Sequence, residues 1–286
     1  DVVVDNFSQG ITKRLGIDHQ SLKKVNPKII TCSISGFGDT EVNRPAYDNL
    51  IQGYAGAMSI TGTDKENPVK SGIPIADLGA GLYAVIGILS AIQSREKNDS
   101  GEHVDISMLD TQVSLLTYMA TMHFLSGENP EPIGNQHMNH VPFNSYKTSD
   151  GFIQIGVVAE DFWPSLIKAL DLRQLDTEEN KLRIGRLKNR ENIDEAVQEV
   201  FLTNTTEHWL KILQEHRVPC GPINTLSETF EDADLLKRNM IVEVLQDSGA
   251  SVKMPGNPVK ISNHDEEFRR SPKLGEHTAE IFKTWL

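Results

Sequence analysis

Short apolar runs that favour β-strands alternate along this chain with segments that favour helices. One run covers Val2 to Val4, and a second, from Lys28 to Ile34, follows a helical stretch from Asp18 to Val25. Strands and helices that alternate in this way build parallel sheets, because each crossover helix returns the chain to the same edge. The sequence therefore predicts an α/β architecture with a partly parallel sheet.

The longest predicted helix begins just after Pro74 and is stopped by residues 98–101. Apolar residues recur along it at the helical period, which predicts that they form its apolar, core-facing side. They are Leu78, Leu82, Val85, Ile86, Leu89 and Ile92. A segment at 47–58 has the same period, and a polar loop at 61–72 separates the two helices.

The second half of the chain predicts a separate domain. Residues 126–142 form a long connection without periodicity, and such connections inside a compact protein are functional or mobile. Two β-rich runs then flank Ser149-Asp150-Gly151 as in a hairpin, and helices follow. We expect a large domain over residues 1–125, a smaller α/β domain over 126–220, and a return to the large domain over 221–286.

Charge and cysteine content exclude several classes of protein. The 28 Lys and Arg against 40 Asp and Glu give a net charge of −12, which repels a phosphate backbone, so nucleic acid is not an expected partner. Cys32 and Cys220 lack C-x-x-C spacing, which fits a reducing, intracellular compartment. No uninterrupted apolar run reaches the roughly 18 residues of a membrane span. The chain opens inside a β-rich run without Met, so we expect upstream sequence to be missing.

Two short motifs resemble ligand sites but lack the context that such sites need. Residues 79–84 fit G-x-G-x-x-A, yet they lie inside the long helix with no strand before them, which favours close packing by small residues. His137 and His140 are three residues apart in a loop, without the carboxylate of the metalloprotease motif. We therefore predict no metal site.

Asp77, at the start of the long helix, has two interpretations. It is a helix N-cap, a role that Asp commonly fills. Alternatively, the helix dipole and unpaired N–H groups keep its carboxylate ionised, and it is a nucleophile whose small neighbours, Gly79, Ala80 and Gly81, leave room for a substrate. The residues alone leave both interpretations open.

Longer segments resemble one enzyme family. They are Asn-Pro-Lys-Ile-Ile-Thr-Cys-Ser-Ile-Ser-Gly-Phe-Gly (26–38), Arg-Pro-Ala-Tyr-Asp (44–48), Thr-Gly (61–62), Ile-Ala-Asp-Leu-Gly-Ala-Gly (75–81) and His-Val-Asp-Ile-Ser-Met-Leu-Asp (103–110), with further matches at 146–151, 218–224 and 274–278. Together they resemble the family III, CaiB/BaiF-like CoA-transferases. That family includes formyl-CoA:oxalate and succinyl-CoA:glutarate CoA-transferases and the α-methylacyl-CoA racemases.

The resemblance implies a fold and a site. The fold would be a Rossmann-like large domain built from both ends of the chain plus the smaller α/β domain, in an interlocked homodimer. The nucleophile would be Asp77. Residues that contact CoA would be Asn6, Phe7, Arg14, Tyr47, Asp48 and Met108, and a substrate loop would hold Gly134, Asn135, Gln136 and His137. CoA would enter as the acyl-CoA substrate, with no tightly bound cofactor.

The expected function is transfer of CoA from an acyl-CoA, such as succinyl-CoA, to a free carboxylic acid through an aspartyl-CoA thioester. One alternative is a racemase-like isomerase, disfavoured because Tyr47 stands where racemases have a histidine and a phenol is a poor base at neutral pH. Another is a non-catalytic acyl-CoA-binding subunit. Expected partners are the substrates and a second copy, without a membrane. The expected location is cytoplasmic, or mitochondrial in a eukaryote.

Overall fold

The computed structural model describes residues 1–42 and 44–285, and these form two compact units that are interleaved along the chain. The first unit consists of residues 1–145, 156–164 and 174–194. The second consists of residues 146–155, 165–173 and 195–286. The α/β class is confirmed, whereas the domain boundaries at 125/126 and 220/221 stay a prediction.

The first unit contains a three-stranded parallel sheet. Its strands are β1 (Val2–Asp5), β2 (Ile30–Ser35) and β3 (His103–Ser107), in the order β1-β2-β3, with Val4 paired to Cys32 and Cys32 to Val104. The helices of this part are α1 (Ile11–Leu15), α2 (His19–Val25), α3 (Asp48–Tyr54), α4 (Ile75–Asn98), α5 (Met108–Leu115) and α6 (Tyr118–Ser126). The predicted strands and the parallel arrangement are therefore present, whereas the helix predicted over 47–58 ends at Tyr54 and a short 3₁₀ turn follows at Ala57–Ile60.

The remaining elements include the predicted hairpin. Strands β4 (Phe143–Lys147) and β5 (Phe152–Gly156) are neighbours in a second sheet, and β6 (Cys220–Pro222) pairs antiparallel with β5. Strands β7 (Ile241–Leu245) and β8 (Ser251–Pro255) form a separate antiparallel pair, and a 3₁₀ turn lies at Arg173–Leu175. The remaining helices are α7 (Phe162–Leu170), α8 (Arg183–Lys188), α9 (Arg190–Phe201), α10 (Thr206–Glu215), α11 (Leu226–Glu231), α12 (Ala233–Lys237) and α13 (Thr278–Trp285). In the second unit, the Trp209 indole N–H donates to the Phe201 carbonyl at 2.9 Å and the two rings pack edge to face.

The core-facing side of α4 is the opposite of the one that apolar spacing predicts. Leu78, Leu82, Val85, Ile86 and Leu89 are all exposed, from 52% for Leu78 to 68% for Leu82. The buried positions are instead small: Ala76, Gly79, Ala80, Ala84 and Ala91. A Cβ built on Gly79 would lie 2.9 Å from Thr111 Cγ2 of α5, so α4 approaches α5 too closely for a larger residue. Packing of small residues, the interpretation favoured for the 79–84 motif, is what Gly79 does.

Length and composition also make α4 a candidate membrane span. Among the residues that the structure describes, it is the one helix long and apolar enough to cross a bilayer. The core helices of soluble proteins satisfy the same criterion. The absence of a membrane among the partners therefore stays a prediction.

Two glycines two residues apart on α4 provide a direct test of this packing. At Gly81 a Cβ would meet nothing within 4 Å. We therefore expect Gly81→Ala to raise the free energy of unfolding by about 0.5–1 kcal/mol, the usual gain of Ala over Gly inside a helix. We expect Gly79→Ala to be less stable than Gly81→Ala by about 1–3 kcal/mol, because the buried, stiff Thr111 side chain resists displacement. Urea unfolding of both variants measures the difference, and equal stabilities would contradict the close α4–α5 contact.

Candidate active site

The start of α4 is capped by a side chain from another helix. Pro74 occupies the N-cap position and offers no side-chain acceptor. Asp48, the first residue of α3, supplies it: its Oδ1 accepts hydrogen bonds from the N–H of Ala76 at 2.9 Å and of Asp77 at 3.4 Å. Asp77 itself is the third residue of α4, so its interpretation as the N-cap is wrong.

Gln52 holds the capping carboxylate in place. Its Nε2 donates to Asp48 Oδ2 at 2.6 Å, and its Oε1 accepts from the N–H of Ser71 at 2.8 Å. The Gln52 side chain is only 1% exposed, so its polar atoms depend on these partners. The backbone before α4, the α3 side chains and the first turn of α4 thus form one hydrogen-bonded unit.

The Asp77 carboxylate accepts no hydrogen bond from the residues that the structure describes. Partial desolvation and the nearby Asp48 carboxylate raise its pKa. The expected stabilisation of its charge by unpaired helix N–H groups is not found, because the N–H groups of Ala76 and Asp77 donate to Asp48 instead. Asp77 is exposed and so accessible to a substrate. A carboxylate whose pKa is raised is a stronger nucleophile than one with the ordinary pKa, because its charge is less stabilised.

The small neighbours of Asp77 have different roles. Gly79 and Ala80 are buried, so they serve packing and leave no room for a substrate. Only Gly81 borders open space. Beneath them, Met108 is 8% exposed in a core cluster with Ile51, Ala76 and Ala80. Met108 therefore lies in the core under the first turn of α4, and its contact with CoA stays a prediction.

A cleft of about 200 Å³ opens at the carboxyl ends of β1 and β2. Three residues predicted to contact CoA line it: Asn6, Phe7 and Tyr47. Asp48 follows Tyr47 directly, so the cleft wall continues into the cap of α4. Arg14 lies in the last turn of α1, is exposed, and is not among the lining residues.

The predicted substrate loop is anchored by hydrogen bonds. The Gly134 N–H donates to the Gly62 carbonyl at 2.7 Å, and Asn135 Nδ2 donates to Ser145 Oγ at 2.6 Å. Gln136 Nε2 donates to Asp194 Oδ2 at 3.3 Å, and the His137 carbonyl accepts from Arg190 at 2.7 Å. The first of these bonds joins the loop to the Thr61-Gly62 segment that the resemblance also includes.

The loop histidines pack together without a third metal ligand. The rings of His137 and His140 lie 4.6 Å apart, and burial lowers the pKa of both. No group of three or more His, Cys, Asp or Glu side chains suited to a metal occurs in residues 1–42 and 44–285. The two rings are thus held mainly in their neutral forms.

Gln52 and Arg44 are residues that sequence reasoning did not single out. The i, i+4 spacing of Asp48 and Gln52 on α3 is a known helix pairing, and it is the signal that identifies Gln52. Arg44 belongs to the Arg-Pro-Ala-Tyr-Asp segment and lines the cleft. Only the structure shows that aromatic rings lie against its guanidinium.

The sequence and the fold match one class of protein. Residues 1–278 match the model of CoA-transferase family III, and the chain belongs to that family, whose relatives below are enzymes of the CoA-transferase type. It is similar to a succinate–glutarate CoA-transferase of Agrobacterium fabrum, with 32% identity over 98% of this chain and 71% of that protein. It is 31% identical to the human succinyl-CoA:glutarate CoA-transferase, over 100% of this chain and 66% of that one. A solved CAIB/BAIF family protein from Brucella suis has a TM-score of 0.86 at 34% identity, covering 99% of this chain and 75% of its own.

The capping carboxylate predicts a specific pH effect. Because the Asp48 charge raises the pKa of Asp77, Asp48→Asn lowers it. A nucleophile that must be ionised loses activity as the pH falls through its pKa, so the acid limb of kcat/KM moves to lower pH in the variant. Asn cannot accept from both Gln52 Nε2 and the helix N–H groups, so we also expect about 1–3 kcal/mol less stability. A pH–rate profile of the folded variant checks the shift, and an unmoved acid limb would contradict it.

Proposed function

We propose that this protein transfers CoA from an acyl-CoA to a free carboxylic acid. The observation that carries the proposal is the Asp77 carboxylate, which has no hydrogen-bond donor among the described residues and has a raised pKa. It lies at a helix start that is capped by Asp48, the residue that follows Tyr47 of the cleft. The names of the relatives in the two comparisons support the reaction class. CoA is then a substrate, and no tightly bound cofactor is needed.

In the proposed mechanism, Asp77 carries the covalent intermediates. Its carboxylate attacks the thioester carbonyl, forming a mixed anhydride and releasing CoA thiolate. The thiolate then attacks the aspartyl carbonyl, which gives an aspartyl-CoA thioester and frees the donor acid. The carboxylate of the acceptor acid runs the same two steps in reverse, so each bond formed is matched by one broken and Asp77 is regenerated.

Each addition creates an oxyanion, which needs donors. The N–H groups of residues 75–78 do not provide them, because each already has an acceptor: the carbonyls of Ile73 and Pro74 and the Asp48 carboxylate. The Gly134 N–H is also occupied, by the Gly62 carbonyl. The helix start and Gly134 therefore both require a rearrangement before their N–H groups can stabilise the oxyanion.

We propose a dicarboxylyl donor such as succinyl-CoA. A second carboxylate that leaves water needs a donor to pair with it. Asn135 and His137 are already bonded, whereas His140 Nδ1 is buried and has no hydrogen-bond partner in the described part of the chain. His140 is thus the loop side chain with a free polar atom for this role.

A racemase-like isomerase is the second candidate. It needs two groups that exchange a proton with the substrate. Asp77 would serve as one, and the resemblance puts the exposed Tyr47 at the position of the other, where racemases have a histidine. A phenol is a poor base at neutral pH, so the residue types favour transfer. A non-catalytic acyl-CoA-binding subunit is separated from both by the Asp77 variants below.

The assembly and location stay proposals as well. We propose a Rossmann-like large domain in an interlocked homodimer, which would cover the exposed large apolar residues of α4. A monomeric mass of the full chain in solution would contradict it. We propose that the protein acts in the cytoplasm, or in mitochondria if it is eukaryotic, away from nucleic acid and membranes.

Replacement of the nucleophile tests the function. We expect Asp77→Asn to lower transfer by at least about a thousandfold, because no other group replaces the covalent carrier. The carboxylate accepts no hydrogen bond from residues 1–42 and 44–285, so the variant should bind CoA and unfold close to the wild-type midpoint. Loss of the interaction between the Asp77 charge and the helix dipole lowers the stability of the variant by about 0.3–1 kcal/mol, whereas removal of a partly desolvated charge raises it. Glu96→Gln, an exposed carboxylate near the other end of α4, is the matched control.

Transfer between [14C]succinyl-CoA and unlabelled acids provides the readout for both variants. Wild-type rates in Asp77→Asn would exclude the covalent mechanism. Trapping an aspartyl-CoA adduct with hydroxylamine in the wild type, and its loss in Asp77→Asn, would distinguish a transferase from a binding subunit. Exchange of the α-proton without transfer would favour the isomerase.

The donor class is tested by a panel of acyl-CoAs at matched concentrations. We expect kcat/KM for succinyl-CoA to exceed that for acetyl-CoA and formyl-CoA by at least about tenfold, or 1.4 kcal/mol in transition-state binding. The preference should shrink in His140→Ala if this side chain meets the second carboxylate. A tenfold preference for a monocarboxylyl donor would reject the dicarboxylate and leave the transferase standing.

A further inference from the structure

Arg44 is held between two aromatic rings at the wall of the cleft. Its guanidinium carbon lies 4.6 Å from the centre of the Phe37 ring and 4.5 Å from the centre of the Tyr54 ring. The two rings meet edge to face, 5.7 Å apart. Both distances are well inside the roughly 6 Å over which a ring attracts a cation. The rings therefore fix the guanidinium without using any of its N–H donors.

Those donors have no partner in the described part of the chain. Arg44 makes neither a hydrogen bond nor an ion pair there, although acidic residues are abundant in a chain of net charge −12. A planar guanidinium offers five N–H groups, and two aromatic contacts remove much of the entropy cost of directing them. Arg44 is thus a positioned cation with unused hydrogen-bonding capacity.

The position of Arg44 points to a ligand. It lines the cleft at the carboxyl ends of parallel strands β1 and β2, and it is the only charged side chain among the described lining residues. Ligands of parallel α/β sheets bind beyond the carboxyl ends of the strands. Asn6, Phe7 and Tyr47 line the same cleft. Among the lining residues that the structure describes, Arg44 is therefore the cation that an anionic ligand meets.

We propose that Arg44 binds a phosphate group of CoA, an inference that rests on the proposed CoA transfer. The cleft is open to water, where the pairing of two single charges contributes little. A phosphate group carries up to two charges and presents three acceptor oxygens, which the guanidinium fork engages in a bidentate manner. A single carboxylate of the acceptor acid provides less at an open site. Phe37 and Tyr54 are the positioning residues that direct Arg44 toward the phosphate.

Calorimetry with three ligands tests this assignment on the full chain. The ligands are CoA, 3′-dephospho-CoA and pantetheine, which differ in their phosphate groups. We expect Arg44→Gln to weaken CoA binding by about tenfold, the loss typical of one charge-assisted hydrogen bond. Pantetheine has no phosphate, so it should bind the variant and the wild type equally. Binding of 3′-dephospho-CoA identifies which phosphate Arg44 contacts. If Arg44→Gln also weakens the binding of this ligand, the contact is with the diphosphate; if the variant binds it as the wild type does, the contact is with the 3′-phosphate. Either result supports the proposal.

Two further variants separate binding from packing. Arg44→Lys keeps the charge but not the planar fork, and it should recover part of the lost affinity. Arg173→Gln removes an exposed cation elsewhere in the chain and should bind CoA as the wild type does. An equal loss for pantetheine would overturn the proposal, because Arg44 would then only shape the cleft. Unchanged CoA binding with a raised KM for the acid would overturn it in favour of a carboxylate contact.

The experiment distinguishes failure of the proposed function from failure of the Arg44 assignment. If the wild type binds neither CoA nor acyl-CoA, CoA transfer is wrong and the Arg44 assignment falls with it. If the wild type binds CoA and Arg44→Gln binds it with the same affinity, only the Arg44 assignment is wrong.

Discussion

The capping of α4 by the Asp48 carboxylate is the interaction on which the site depends. A helix start whose N-cap is Pro74 leaves its first N–H groups without a local acceptor. Asp48 supplies that acceptor from α3, and Gln52 holds Asp48 from the next turn of the same helix. The first turn of α4 is therefore placed by residues some thirty positions earlier in the chain, and the residue just before Asp48, Tyr47, lines the cleft.

The same interaction sets the chemistry of Asp77. The N–H groups that ordinarily stabilise a carboxylate in a first helical turn are occupied by Asp48, and the Asp48 charge adds repulsion. Asp77 therefore lies at a helix start and still has a raised pKa. Asp77, which the proposed mechanism uses as a nucleophile, therefore lacks the favourable contact between a carboxylate and the free N–H groups of a helix start. This arrangement stabilises the helix through one carboxylate and leaves the other available for reaction.

The sequence predicts the elements of this fold better than their packing. The runs at Val2 and Lys28 are predictable as strands because β-branched residues dominate them, and the hairpin around residues 149–151 has strong turn signals. The buried face of α4 is not predictable in this way. Close contact with α5 requires small side chains on that face, and the spacing of apolar residues carries no information about side-chain size. The N-cap interpretation of Asp77 failed for a related reason. An acceptor from a distant helix leaves no local pattern, whereas the i, i+4 pair of Asp48 and Gln52 does.

The close approach of α4 to α5 has a consequence for the rest of the surface. Because Gly79 and Ala80 are small, the first turn of α4 packs closely on the core cluster that contains Met108 and Ile51, and this packing fixes the position of Asp77. A helix that buries its small residues directs its large apolar residues outward, and on α4 these form a continuous exposed stripe. Exposed apolar surface of this extent is unfavourable in water, so the proposed homodimer would stabilise the helix that carries Asp77 by covering this surface. The packing that places Asp77 and the exposed apolar stripe are thus two results of one distribution of residue sizes along α4.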